Sequence, residues 1–179
     1  ENANLPGFVA LCPSGMPVGA TNNWRSAFLP GVYQGTYVHT QGNDPQKLIA
    51  NIRNRNLSGP EQKRQFEFLR KLNSRHLQAR PQDTSLEARI ESFEMAYRMQ
   101  TEATDAFDIG REPGSIREMY GKGPQNQQLL MARRLVERGV RFVQVWHGNS
   151  QPWDSHGNIK SAHRKVAGQC DQGLAALIT

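Results

Sequence analysis

An α/β fold is predicted for this 179-residue chain by two short apolar runs, a long helical stretch between them, and a polar loop that begins where the second run stops. The first run is Phe8-Val9-Ala10-Leu11, closed by the turn signal Cys12-Pro13-Ser14-Gly15. The second holds Val140, Phe142, Val143, Val145 and Trp146. It is nearly continuous and rich in β-branched and aromatic residues, which predicts a strand buried on both faces, as in a parallel sheet.

Between the runs, a Gly-, Pro- and Asn-rich segment from Gly15 to Gly35 reads as an irregular loop. Trp24, Phe28, Leu29, Tyr33 and Tyr37 are expected to pin it to the body. From about residue 60 to 138 the pattern is helical. Phe66, Leu69, Leu72, His76 and Leu77 recur at helical spacing, and Arg80-Pro81 ends that run because the residue before proline disfavours the α region. His76 is expected on the packed face. Thr84 and Glu87 have capping-box spacing ahead of Leu86, Ile90, Phe93 and Tyr97. The two helices are expected to form an antiparallel hairpin, with Met95 and Met99 as core filler. Residues 105–123 read as a polar connection with one apolar cluster, Ile116, Met119 and Tyr120. A helix over about 125–138 packs Leu129, Ala132, Leu135 and Val136, and Gly139 is its left-handed cap. After the loop, Ile159, Ala162, Val166, Cys170, Gly173 and Leu177 trace one further helical stripe. The chain divides into a helical segment at about 60–138 and a strand-loop-helix unit at 139–179, both within a single partial domain over residues 1–179.

With 37% hydrophobic residues and no low-complexity tract, the composition is that of a globular protein. No apolar run nears the roughly 20 residues of a membrane span, and no signal peptide is visible. The first residues, Glu1-Asn2-Ala3-Asn4, read as a cut point in a longer chain. Two cysteines, Cys12 and Cys170, are too few for a disulfide framework and are expected as buried thiols. A formal charge of +6 raises the question of nucleic acid. The basic residues are interleaved with Glu61, Glu67, Glu87 and Glu137 on helices, which predicts solvated faces and no nucleic-acid partner.

His147, Asp154 and His156 fall in the loop after the second strand, and ligands in open α/β sheets bind outside the carboxyl ends of strands. Asp154 and His156 flank Ser155, so an extended backbone points both to the same side. Carboxylate plus imidazole suits a divalent metal. An Asp-x-His triplet also serves as an Asx-turn, and Asn158 fits a helix cap. His147, Asn158 and His163 are expected behind the ligands or facing substrate. Ser155 as a nucleophile ranks below the metal reading.

Several long stretches carry a family resemblance. They are Leu-Pro-Gly-Phe-Val near the start, Phe28 to Thr36, Glu87 to Gln100, Ala132 to Val145, and Trp-Asp-Ser-His-Gly-Asn-Ile at Trp153 to Ile159. In their order they resemble the sulfatase-like family known as domain of unknown function 1501, within the alkaline-phosphatase-like superfamily. The resemblance implies a partial alkaline-phosphatase-like α/β sandwich with a helical insertion. It also implies a metallohydrolase acting on phosphate or sulfate esters, with a small-molecule or glycan ester as substrate. Asp154 and His156 match the Trp-Asp-x-His element, which resembles the superfamily's metal ligands for zinc, manganese, magnesium or calcium. Asp171 matches an acidic position that is expected to be structural. Family members have further N- and C-terminal parts and an export signal, which implies a periplasmic or extracytoplasmic full-length protein. The alternative is a non-catalytic structural or glycan-binding member of the same fold.

Overall fold

The computed structural model describes residues 4–41, 48, 56–80, 86, 90, 91, 94, 95, 97–99 and 104–179. Three parallel strands form the sheet, β1 (Phe8–Cys12), β2 (Thr36–His39) and β3 (Phe142–Val145), in the order β2-β1-β3. The mixed α/β class is as the apolar runs predict. β1 pairs with β2 from Val9↔Thr36 to Cys12↔His39, and with β3 from Phe8↔Phe142 to Leu11↔Val145.

Among the described residues, only the central strand is enclosed on both faces. Val9 and Leu11 point into the main core with Val38, while Ala10 and Cys12 point the other way, under Trp24. β3 lies at the edge of this sheet, with Phe142 58% exposed. The expectation of a doubly buried strand is therefore corrected. An apolar run reports the strand itself but not how many neighbours flank it. β2 was not foreseen. It follows Gly35, whose missing side chain lets Phe8 and Trp24 close in, since a Cβ there would sit 2.8 Å from that of Trp24.

In the segment before β2, Trp24 is buried and stacks on Tyr37 at 5.6 Å. Phe28, Leu29 and Tyr33 are exposed, so they do not pin the loop as expected. The helix α1 (Gly59–Ala79) starts with a capping box in which Glu61 Oε2 accepts from the Ser58 backbone N–H at 2.8 Å. Phe66 and Leu77 are half-buried, and Phe66 stacks on Tyr97 at 3.9 Å. Leu69, Leu72 and His76 are exposed, so His76 is no core histidine. The second helix is described at Leu86, Ile90, Met95, Tyr97 and Met99, with Met99 fully buried. Its expected cap, Thr84 with Glu87, and Phe93 lie outside the described residues.

The polar connection proves to be helical: two 3₁₀ turns, Thr104–Phe107 and Ile109–Arg111, lead to α2 (Gly114–Tyr120). Next comes α3 (Pro124–Glu137), which buries Leu129, Ala132 and Leu135, while Val136 is 56% exposed. Gly139 adopts φ 96°. Its N–H reaches Val136 O and that of Val140 reaches Leu135 O, a Schellman cap that aims the chain into β3. The single helix expected after the loop is broken into α4 (Ile159–Ala167) and α5 (Asp171–Ile178) at Gly168 to Cys170. Ile159 and Leu177 are exposed rather than packed. α5 lies close on α3. A Cβ on Gly173 would meet Asn126 Oδ1 at 2.6 Å, and that oxygen accepts from the Gly173 N–H at 3.0 Å. Among the described residues, no helix is long and apolar enough to cross a membrane.

Candidate functional site

Parallel pairing brings the carboxyl ends of all three strands, Cys12, His39 and Val145, to one edge of the sheet. The chain leaves β1 for β2 on one side and later returns as β3 on the other. This reversal of strand order creates the kind of crevice in which open α/β sheets hold ligands. The loop of residues 147–158 leaves β3 at that edge.

The start of α3 reaches the same place. Gln125 Nε2 donates to Trp146 O at 3.3 Å, and Gln128 Nε2 donates to the Thr40 hydroxyl at 2.7 Å. Gln128 is 1% exposed, and among the described residues its Oε1 has no partner. These two amides were missed by sequence reasoning. The signal was present, because Gln125 and Gln128 extend the Leu129–Ala132–Leu135 stripe backwards, which places polar residues at core positions. Cys12 lies opposite His39 in the register, and burial pushes its thiol up to about 11. Burial also raises the Tyr37 phenol, with the charge of Cys12 adding to the effect.

Within the loop, the predicted residues separate into anchored and open groups. His147 Nε2 meets Gln169 Oε1 at 2.8 Å, and His163 Nε2 meets Trp153 O at 2.8 Å. Both imidazoles approach the Trp153 indole edge-on, at centroid distances of 5.5 and 5.7 Å. These two histidines therefore hold the loop in shape. Asn158 occupies the cap position of α4 with φ 51°, but its side chain makes no capping bond. Its carbonyl instead accepts from the Ser161 hydroxyl at 3.0 Å. Asp171 Oδ1 accepts from the Gln172 N–H at 2.7 Å, a local structural bond at the start of α5.

Asp154 and His156 do come together. His156 Nε2 lies 3.4 Å from Asp154 Oδ1, with the side chains 90% and 55% exposed. Two donors bound at about 2.1 Å with a tetrahedral angle are about 3.4 Å apart, so the pair has the bite of a single ion such as Zn²⁺. Among the described residues, no group of three or more His, Cys, Asp or Glu side chains could hold a metal ion. The Asp154–His156 pair by itself falls short of such a group.

The family model described as protein of unknown function (DUF1501) matches residues 1–179. No curated protein and no solved structure matches the chain.

Proposed function

Since the chain belongs to this family of unknown function over its whole length, we propose that it forms part of a sulfatase-like metallohydrolase acting on phosphate or sulfate esters. The proposed architecture is a partial alkaline-phosphatase-like sandwich. The observation that carries the reading is the Asp154–His156 pair, with the spacing of two ligands on one ion, in the loop that leaves the carboxyl edge of a parallel sheet. Bound there, a divalent metal would polarise an ester oxygen and lower the pKa of a water. Asp154 and His156 would hold it. His147 and His163, through Gln169 and the Trp153 carbonyl, would keep the loop in position. The same resemblance is the support for a periplasmic or other extracytoplasmic setting.

Elemental analysis after dialysis against zinc or manganese tests the reading. The Asp154→Asn/His156→Ala variant is expected to retain less metal than the wild type, and equal metal content would remove the assignment. The 179-residue chain is expected not to turn over aryl phosphates or aryl sulfates, because two ligands do not close a catalytic site. Turnover that vanishes in Asp154→Ala would instead show that the chain holds a complete site in which Asp154 takes part.

A second reading, a non-catalytic glycan-binding member, draws on one specific observation. Trp153 is 44% exposed although both neighbouring histidines hold it.

A further inference from the structure

A tryptophan has more apolar surface to hide than nearly any other side chain, and tryptophan is enriched at binding interfaces. Trp153 is fixed at three points. His147 and His163 approach the indole edge-on, and His163 also bonds its backbone carbonyl. Each histidine is itself placed by the fold, His147 through Gln169 and His163 by its position in α4. In the same loop, Gln151, Asp154 and His156 are exposed. Their amide, carboxylate and imidazole groups are planar and can donate or accept hydrogen bonds.

A second feature adjoins this platform. α4 carries Lys160, Arg164 and Lys165, all exposed, and no acidic residue between Ile159 and Ala167. Lys160 lies three residues before His163, and Arg164 four residues after Lys160, so these two cations share a helix flank beside the histidine that touches Trp153. An aromatic ring, planar hydrogen-bonding groups and two adjacent cations complement a pyranose ring bearing an acidic substituent. The apolar C–H face of the sugar fits the indole, its hydroxyls fit the polar rim, and its anionic group fits Lys160 and Arg164.

We propose that Trp153, with Lys160 and Arg164, forms a binding platform for an anionic pyranoside, either a sulfate ester or a uronate. The proposal rests on the reading that the loop after β3 faces substrate, and it names the class of that substrate.

The test is the binding of the 179-residue chain to a sulfated galactan, to polygalacturonate and to neutral galactan, by calorimetry and affinity electrophoresis in EDTA. Working in EDTA separates the platform from the metal site, so a hydrolase reading that fails on metal content leaves this measurement unaffected. Trp153→Ala is expected to weaken binding of the anionic polymers by at least about tenfold, with Trp153→Phe in between. Lys160→Ala/Arg164→Ala is expected to weaken the anionic polymers and leave the neutral one unchanged. A basic chain attracts polyanions at many points, so Arg70→Ala/Lys71→Ala on α1 serves as the charge control and is expected to have little effect. Near-UV circular dichroism confirms that each variant is folded. The platform is overturned if folded Trp153→Ala binds as the wild type does, or if the α1 pair matters as much as the α4 pair. Preference for one anionic polymer over the other identifies the substituent.

Discussion

Arg134 offers the most demanding test of how α3 is held, and with it the glutamines that reach the strand ends. Its side chain is 3% exposed, and it pairs with Glu112, whose side chain is 10% exposed. Its Nη2 donates to Asp105 O at 2.7 Å and its Nε donates to Ala106 O at 3.3 Å. Arg134 therefore ties α3 to the 3₁₀ turn before it through one buried ion pair and two carbonyls. Replacing it with methionine fills much of the volume but removes the donor to Ala106 O, leaves Asp105 O with the 3.2 Å bond from the Asp108 N–H and, among the described residues, leaves Glu112 facing Arg133 at 3.7 Å. Breaking a buried pair from one side costs about 3–5 kcal/mol, so Arg134→Met is expected to fall in that range. Arg134→Met/Glu112→Leu is expected to recover part of the loss, because no weakly compensated buried carboxylate remains. Equilibrium urea unfolding followed by tryptophan fluorescence reads both. A loss for Arg134→Met below about 1 kcal/mol, the range of solvated surface pairs, would refute the argument. So would a double variant less stable than the single one, since the weakly compensated Glu112 charge would then not be the source of the cost.

Two further outcomes follow from the geometry. Cys12 is 0% exposed and its thiol is raised to about 11 by burial, so a thiol reagent should modify Cys170 first in the native protein and reach Cys12 only on unfolding. Because the fold favours the neutral Cys12 thiol, its contribution to stability is present below the ordinary thiol value and declines as pH rises from there towards about 11; Cys12→Ala should flatten that part of the unfolding profile. Gly139→Ala forces a side chain into φ 96° and should cost about 1–2 kcal/mol in thermal or urea unfolding, whereas Gly157→Ala, with open space around it and no positive φ, should cost less.

What could be read from the sequence depended on how much of each element's environment is local. β1 was legible because a central strand is buried on both faces, and a continuous apolar run bounded by a turn rarely folds as anything else. β2, with the four residues Thr36-Tyr37-Val38-His39, alternates aromatic and aliphatic side chains, but it is too short to stand out beside the Gly- and Pro-rich loop before it. Its existence depends on pairing with β1, which no local pattern announces. The cap at Gly139 was legible for the opposite reason: a left-handed turn between a helical stripe and an apolar run requires glycine at that position. On α1, the apolar residues cover more of the circumference than one neighbour can bury. Phe66 takes the contact with Tyr97, and Phe68, Leu69 and Leu72 are left exposed, a division that depends on where the second helix lies.

The candidate site divides along the same line, and the division bears on its chemistry. Asp154 and His156 were found because their residue types and spacing are unusual in a loop, and the structure does bring them to within 3.4 Å. Whether they could hold an ion depends on residues distant in sequence, and among the described residues no group of three or more such side chains forms around them. Gln125 and Gln128 were overlooked because amides at a helix start look like ordinary solvated residues. Only the packing of α3 against the sheet shows that they bond Trp146 and Thr40 at the strand ends. A buried amide held at one atom and unpaired at another is costly unless something else meets it. The carboxyl edge of the sheet therefore adjoins two kinds of structure: buried amides bonded to the strand ends, and a loop braced by His147 and His163 that carries the exposed Asp154–His156 pair.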